Sequence, residues 1–214
     1  MVKAIRIRKI DIEKIVEKIP RHPKPNIKLE QYVTPSSIVA EILWEALLTG
    51  NIVGRKILDL GCGTGRFALI AAFLGAKHVT CLDVDVSSLN IAKTYARKLR
   101  VDNRVDFVQV WIPQVHVMKV DTIIQNPPFG VWRRHADLIF LSKAFNLKPK
   151  TIYSIHKANP ESRKIIFNEA RKNGYTVKIL SRKRFIIPPF MKHHYKKKHY
   201  VLIEIFKFER ETEI

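Results

Sequence analysis

The sequence predicts an α/β fold in which a mostly parallel, seven-stranded sheet carries helices on both faces. From residue 56 onwards, short apolar runs alternate with helix-like segments, which is typical of parallel strands joined by crossover helices. A glycine-rich stretch, DLGCGTG, follows the first of these strands directly. The last two strand-like runs have no helix between them, so we expect an antiparallel strand at one edge of the sheet.

The elements can be placed along the chain from their residue patterns. A helix is expected with Thr34 as its N-cap, Pro35 at its first position and Gly50 beyond its end. The predicted strands are 56–61, 78–84, 104–110, 120–126, 151–156, 175–188 and 198–210. The predicted helices between them are 65–74, 87–99, 136–146 and 160–173. Ligands of such sheets bind beyond the carboxyl ends of the strands, where we therefore look for functional residues.

Composition excludes several classes of protein. Hydrophobic residues make up 46% of the 214 residues, which is enough for one packed domain. No apolar run is long enough to cross a bilayer, and the N-terminus lacks the apolar core of a signal peptide. Cys62 and Cys81 are too few for a disulfide framework or an ordinary zinc site. We therefore expect no metal, no membrane association and a location in the reducing cytoplasm.

The net charge of +20 is unevenly distributed. Residues 1–28 hold nine Lys/Arg against three Asp/Glu, residues 29–128 ten against nine, and residues 129–214 twenty against seven. Basic segments on both sides of a nearly neutral middle favour a polyanionic partner, with nucleic acid ahead of an anionic membrane surface. Three prolines in 20–26 indicate a linker, which separates a basic N-terminal extension, 1–28, from the main domain, 29–214.

The glycine-rich turn predicts a cofactor site. Gly61, Gly63 and Gly65 allow a sharp turn and the close approach of a ligand. A dinucleotide fingerprint requires its third glycine at the position of Arg66, so the spacing favours an adenosyl ligand without a pyrophosphate. Asp59, at the end of the preceding strand, favours a ligand site over a simple tight turn.

Two acidic residues follow the second strand. Asp83 ends that strand, where a carboxylate can accept hydrogen bonds from both ribose hydroxyls of a nucleoside. The alternative for Asp83 is a helix N-cap. Asp85 is interpreted as the N-cap, because Ser87 and Ser88 begin the next helix.

A third strand ends in the sequence Asn126-Pro127-Pro128-Phe129. The prolines fix the backbone and have no N–H, so the carbonyl groups there become acceptors in rigid positions. The Asn126 side chain adds a carbonyl oxygen and Phe129 a flat apolar face, which together suit a planar ring bearing an NH2 group. Acceptors for both amine hydrogens would free the nitrogen lone pair for reaction. The alternative is a Pro-Pro turn that only ends the strand.

These motifs resemble those of S-adenosylmethionine-dependent amino-methyltransferases with an N-P-P-F/Y motif. Within that group, residues 29–210 resemble archaeal and eukaryotic methyltransferase-like enzymes that form N6-methyladenosine in small-subunit ribosomal RNA. The matching stretches are LEQYVT, DLGCGTG, LGAKHV, DVD, NPPFG, AD…FL, YSIHK and KKKHYVLIEIFKF. LEQY and YSIHK are far more specific than the glycine loop. The resemblance implies that 29–214 is a Rossmann-like class I methyltransferase domain that uses S-adenosylmethionine.

The resemblance also implies roles for individual residues. Gln31 and Thr34 would contact the methionine part of the cofactor, and Asp83 its ribose. The cofactor loop is implied to include Asp59, Gly61, Gly63, Thr64 and Arg66. The acceptor adenine would be held by Asn126, Pro127, Pro128 and Phe129. The family has an acidic residue for the cofactor's adenine amine where this chain has Trp111, followed by Ile112, so that contact is either lost or replaced by stacking.

Other residues are assigned to the RNA side of the site. The resemblance implies substrate-side roles for His156, Lys157 and the late lysines, namely Lys192, Lys196, Lys197 and Lys198. Trp132, Arg133 and Arg134 follow the acceptor motif and are interpreted as a substrate lid, with a surface loop as the open alternative. Eukaryotic members of the family work with a small zinc-containing activator that pairs with a sheet edge. Whether this chain needs such a partner stays open.

The sequence therefore predicts methyl transfer from S-adenosylmethionine to N6 of an adenosine in structured, ribosomal RNA. The target base would leave its stack to reach Asn126, and the basic segments would supply affinity through phosphates. Three alternatives stay open: methylation of guanine N2 in RNA, methylation of glutamine N5 in a protein, and a non-catalytic RNA-binding protein of the same fold.

Overall fold

The structure is a computed structural model that describes residues 7–116, 118–130, 135–187 and 199–211. Its helices are α1 (Lys9–Glu17), α2 (Ser36–Leu48), α3 (Arg66–Phe73), α4 (Val86–Lys98), α5 (Ala136–Asn146) and α6 (Pro160–Lys172). Its strands are β1 (Lys56–Leu60), β2 (His78–Asp83), β3 (Val105–Gln109), β4 (Thr122–Gln125), β5 (Thr151–Lys157), β6 (Tyr175–Ile187) and β7 (His199–Arg210). Each predicted strand and crossover helix is confirmed, with ends that differ by a few residues.

The strands form one sheet in the order β3-β2-β1-β4-β5-β7-β6. All pairings from β3 to β5 are parallel, and β7 runs antiparallel to both β5 and β6. The predicted antiparallel pair at one edge is confirmed, and β7 is its inner member. Because β6 runs parallel to β5, its carboxyl end lies at the same edge of the sheet as the ends of β1, β2 and β4.

Two apolar layers cover the sheet. One packs α1 to α4 against one face, with Ile42, Phe67 and Tyr153 among its buried side chains. The other packs α5 and α6 against the opposite face, through residues such as Phe145 and Ile166. In parallel sheets both faces are buried, which explains the nearly continuous apolar runs of the central strands.

The N-terminal helix is part of the first layer. Ile12, Val16 and Ile19 are almost completely buried in the same core cluster as α2. The domain boundary placed at residue 28 stays a prediction, although the helix before it packs on the main domain. The helix after Thr34 begins one residue later than predicted, with Pro35 as its N-cap.

The two cysteines are paired. Cys62, in the glycine-rich turn, forms a disulfide with Cys81 in β2, and their Cα atoms are 5.6 Å apart. The sequence analysis predicted no disulfide framework, because two cysteines with no metal-site spacing carry little signal. The parallel pairing of β1 with β2 is what brings them together.

No helix within the described ranges is both long and apolar enough to cross a membrane.

Candidate active site

A cleft lies beyond the carboxyl ends of β1, β2 and β4, where the topology predicts a ligand site. The turn after β1 forms its floor, with Gly61 at φ +73° and Gly63 at φ +53°. A Cβ atom at Gly61 would lie 2.9 Å from the Phe140 ring, whereas a Cβ at Gly63 would meet nothing within 4 Å. Gly61 is therefore required for packing against α5, and Gly63 leaves space for a ligand.

Asp59 fixes this turn through a contact with α3, away from the cleft. Its side chain is 1% exposed, does not line the cleft, and accepts a hydrogen bond from the Ala68 N–H at 2.9 Å. Burial, opposed by that hydrogen bond, raises the pKa of Asp59 to about 8. The structure thus gives Asp59 a role in fixing the turn against α3 rather than in direct cofactor contact.

Asp83 lines the cleft as predicted. Its two carboxylate oxygens accept hydrogen bonds from the Gly63 N–H at 2.7 Å and the Asp85 N–H at 2.9 Å. Burial raises its pKa. Each oxygen has a further lone pair, so the carboxylate can still accept from the hydroxyl groups of a ribose. The N-cap role belongs to Asp85, whose side chain accepts from Ser87 and Ser88, as predicted.

Arg66 brings a buried positive charge to the wall of the cleft. Its guanidinium donates to the backbone oxygens of Thr34 at 3.2 Å and Ile19 at 3.1 Å. Its Nε atom is buried without a hydrogen-bond partner in the described part of the chain. A buried guanidinium that donates only to carbonyl oxygens retains its charge and suits a ligand carboxylate, such as that of a methionine moiety.

Two residues before α2 close the cleft from the side of the N-terminal segment. Gln31 donates from Nε2 to Asp85 Oδ2 at 2.8 Å and accepts from the Asn26 N–H at 2.6 Å. His22 lies 2.8 Å from the Ser87 hydroxyl and also lines the cleft. Sequence reasoning missed His22, because a histidine between prolines carries no signal for a ligand site.

Three further residues that the sequence analysis assigned to the cofactor also line the cleft. Thr64, Trp111 and Ile112 all line it, with Ile112 buried and Trp111 40% exposed. The exposed indole offers a flat apolar surface at the cleft, on which a ring can stack.

Asn126 lies at the mouth of the same cleft, immediately after β4. Its Nδ2 donates to the Thr34 hydroxyl at 2.9 Å. Its Oδ1 is buried and has no hydrogen-bond partner among the described residues. An unpaired buried carbonyl oxygen is costly, so an orphan acceptor here indicates a site for a ligand donor. Pro127 is buried behind it, and Pro128 lines the cleft.

Phe129 does not present the open face that the sequence predicted. It is 5% exposed and stacks on Tyr32, with ring centroids 5.8 Å apart and planes inclined by 22°. The Phe185 ring meets it edge-on at 5.3 Å. A purine can stack on Phe129 only if Tyr32 moves aside, because the aromatic cluster already occupies that face.

The residues assigned to RNA fall into three groups. His156 is fully buried, so in this conformation it offers no contact to RNA, whereas Lys157 is partly exposed at the end of β5. The remaining predicted RNA contacts lie outside the described residues, namely Trp132, Arg133, Arg134, Lys192, Lys196, Lys197 and Lys198.

Among the described residues, no three His, Cys, Asp or Glu side chains are grouped as metal ligands.

Comparisons with known proteins agree with this geometry. The archaeal protein MJ0284 from Methanocaldococcus jannaschii is 34% identical over 215 aligned residues, covering 95% of each chain. The zebrafish protein named rRNA N(6)-adenosine-methyltransferase METTL5 is 28% identical and aligns with 92% of this chain and 97% of its own length. The crystal structure of PH1948 from Pyrococcus horikoshii, described as a putative RNA methyltransferase, has a TM-score of 0.87 at 32% identity, covering 96% and 99% of the two chains.

The family comparison covers the part of the chain that builds the cleft floor and the acceptor motif. The match to the methyltransferase small domain spans residues 37–145, from α2 through β4 to α5. The chain therefore belongs to the methyltransferase small domain family.

Proposed function

We propose that this chain transfers a methyl group from S-adenosylmethionine to N6 of an adenosine in structured RNA, and that the RNA is ribosomal. The observation that carries the proposal is the buried Asn126 Oδ1, an acceptor without a partner in the described structure at the edge of the cofactor cleft. The zebrafish relative is named for the same reaction. The net charge of +20 supports a polyanionic substrate.

The residues of the cleft fit each part of the cofactor. Arg66 would bind the carboxylate of its methionine, Asp83 the ribose hydroxyls, and Trp111 the adenine ring. Gly63 leaves room for the chain between them. When bound, S-adenosylmethionine supplies an electrophilic methyl group.

Asn126 and Pro127 prepare the acceptor amine. An exocyclic amine on adenine is a poor nucleophile, because its lone pair is delocalised into the ring. Asn126 Oδ1 and the Pro127 carbonyl would accept its two hydrogens, which favours a pyramidal nitrogen and directs the lone pair towards the methyl group. The N–C bond would form as the S–CH3 bond breaks, and the extra proton of the methylated nitrogen, now strongly acidic, would pass to solvent water. Most of the rate acceleration would come from positioning, so the site needs no strong base.

The decisive experiment identifies the methylated nucleoside. The protein is incubated with isotopically labelled S-adenosylmethionine and small-subunit ribosomal RNA, and the RNA is digested to nucleosides. We expect label in N6-methyladenosine with the parent and none with Asn126→Ala. Label in N2-methylguanosine would support methylation of guanine in RNA. Label that stays on protein after RNase treatment would support methylation of glutamine. Cofactor binding without any labelled product would support the non-catalytic one.

A partner and a location complete the proposal. A small zinc-containing activator would pair with an exposed edge of the sheet, and β3 offers such an edge with Val108 exposed. We place the enzyme in the cytoplasm, where ribosomal RNA is available. Activity that rises on addition of a co-purified zinc protein would support the partner, whereas full activity of the isolated chain would remove the need for one.

A further inference from the structure

A chain of hydrogen-bonded side chains runs through the buried layer between β4 and α5. Gln125 Nε2 donates to Ser154 Oγ at 3.0 Å, and Ser154 Oγ lies 2.7 Å from His156 Nε2. His156 Nδ1 lies 3.2 Å from Asp137 Oδ2. Gln125, Ser154 and His156 are all completely buried. None of the roles proposed above uses this chain of contacts.

All three hydrogen bonds can form at once if each donor points along the series towards Asp137. Asp137 is an acceptor when ionised, and although burial opposes ionisation, the hydrogen bond from His156 lowers its pKa below the usual value. An ionised Asp137 can only accept, so His156 donates from Nδ1–H, and in the neutral tautomer its Nε2 then accepts from the Ser154 hydroxyl. The Ser154 oxygen in turn accepts from Gln125. Each of the three contacts pairs one donor with one acceptor, and Gln125 Oε1 is left buried without a partner among the described residues. Removal of a middle member would leave further buried polar groups unpaired.

The two ends of this hydrogen-bonded series, Gln125 and Asp137, lie beside the candidate active site. Gln125 is the last residue of β4 and directly precedes Asn126, and it is in register with Ser154 of β5. Asp137 lies in the first turn of α5, whose Ala136 and Phe140 line the cofactor cleft. The hydrogen bonds thus join β4, which is followed by Asn126, to α5, which forms one wall of the cleft.

We infer that His156 is a positioning residue for methyl transfer, which holds Asn126 and the start of α5 in register through Ser154, Gln125 and Asp137. The inference rests on the proposed function for its effect on catalysis. Its effect on the geometry of Asn126 can be measured without any substrate.

Two other roles for this cluster do not fit. A Ser–His–Asp arrangement resembles the triad of hydrolases, but a nucleophilic serine must reach its substrate, and Ser154 is completely buried. A direct contact between His156 and RNA fails for the same reason. The remaining alternative is that these hydrogen bonds only stabilise the fold. The experiment is designed to separate that role from the positioning of Asn126.

The test uses Ser154→Ala and Asp137→Ala, with Tyr153→Phe as the matched control. Tyr153 lies in the same strand and is also buried, but its hydroxyl contacts Thr49 and Asn51 on the other face of the sheet. All three variants remove hydrogen bonds made by side chains of β5, so their melting temperatures should fall by comparable amounts. We expect kcat to fall at least about tenfold in the two test variants, because small misplacements of reacting groups are costly. The Kd of S-adenosylmethionine should change less than twofold, and Tyr153→Phe should keep the parental kcat.

A second readout needs no activity. In ¹⁵N-labelled protein, the side-chain amide signals of Asn126 should shift in both test variants and not in Tyr153→Phe. Parental kcat and unshifted signals in either folded test variant would overturn the inference, as would a fall in kcat with unshifted signals. If the parent itself transfers no methyl group, the proposed function fails, and the Asn126 signals alone decide whether His156 positions that residue.

Discussion

The Thr34 hydroxyl accepts a hydrogen bond from Asn126 Nδ2 at 2.9 Å, across the boundary between the start of α2 and the end of β4. This contact holds the nitrogen end of the amide, and the oxygen end is buried without a partner among the described residues. With the nitrogen held by Thr34, the oxygen is left as the acceptor for a ligand. Thr34 is therefore an orienting residue for Asn126, in addition to the cofactor contact that the sequence predicts.

Replacing Thr34 with Val should lower kcat by about tenfold, because the Asn126 amide would lose the partner that sets its orientation, a loss of about 1–1.5 kcal/mol. Thr34→Ser keeps the hydroxyl and should retain most of the activity. Steady-state kinetics of the two variants check this expectation. Equal kcat values for Thr34→Val and the parent would show that the amide is oriented by other contacts.

Asn126→Ala should abolish methyl transfer while the cofactor Kd changes little, since the proposed role of the side chain is to accept a hydrogen bond from the substrate amine. The measurements are single-turnover kinetics and calorimetric titration of the cofactor. Turnover within about tenfold of the parent would contradict the assignment of Asn126 as the amine acceptor.

Asp83→Ala should weaken cofactor binding by roughly 2 kcal/mol or more, because two charge-assisted hydrogen bonds to ribose would be lost. Asp106→Ala, on the exposed surface of neighbouring β3, removes an equal charge far from the cleft and serves as the control. Calorimetry measures both dissociation constants, and circular dichroism confirms that each variant is folded. An unchanged constant for Asp83→Ala would place the ribose elsewhere.

Asp59 should make the stability of the cofactor-free protein depend on pH. Its pKa of about 8 in the folded protein exceeds the usual value near 4 in an unfolded chain. The folded state then binds the proton more tightly, so the contribution of Asp59 is fully present below about pH 4 and is lost as pH rises towards 8. Asp59→Asn removes this dependence.

Thermal melts at pH 5 and pH 8 check the sign of this effect. The melting temperature of Asp59→Asn relative to the parent should be higher at pH 8 than at pH 5. If the melting temperature of the parent instead rises relative to that of Asp59→Asn as pH increases, Asp59 is ionised and stabilised in the folded protein.

Strand periodicity and the residues at strand ends were enough to predict the sheet and the place of the cleft. Asp83, Asn126 and the glycine turn follow parallel strands, and parallel strands bring their carboxyl ends to one edge. The prediction depended on local pattern and on one topological rule, which explains why it held for the residues nearest the strands.

Contacts between distant segments were not predictable in the same way. The stacking of Tyr32 on Phe129, the Cys62–Cys81 bridge and the burial of His156 depend on how loops and helices pack in three dimensions. No spacing in the sequence encodes these distances. A histidine in a motif that resembles a substrate-side block therefore looked like an RNA contact, although the fold buries it.

The last prediction concerns the basic run KHHYKKK, residues 192–198, between β6 and β7. The run itself lies outside the described residues, but β6, which precedes it, runs parallel to β5 and ends at the edge of the sheet that holds the cleft. Replacing Lys196, Lys197 and Lys198 with Gln should lower RNA affinity. It should also flatten the slope of log affinity against log salt by up to about 2–3 units, since each lost phosphate contact accounts for about 0.7–0.9.

A matched triple variant of Lys93, Arg97 and Arg100 to Gln separates a specific effect from a general loss of charge. These side chains are exposed on and just after α4, and the variant removes the same three positive charges. Both triple variants should retain the parental melting temperature and cofactor affinity, because exposed charges contribute little to stability. Equal salt slopes for the two variants would show that the late lysines act only through net charge, and the specific phosphate contacts would then have to come from the basic N-terminal segment.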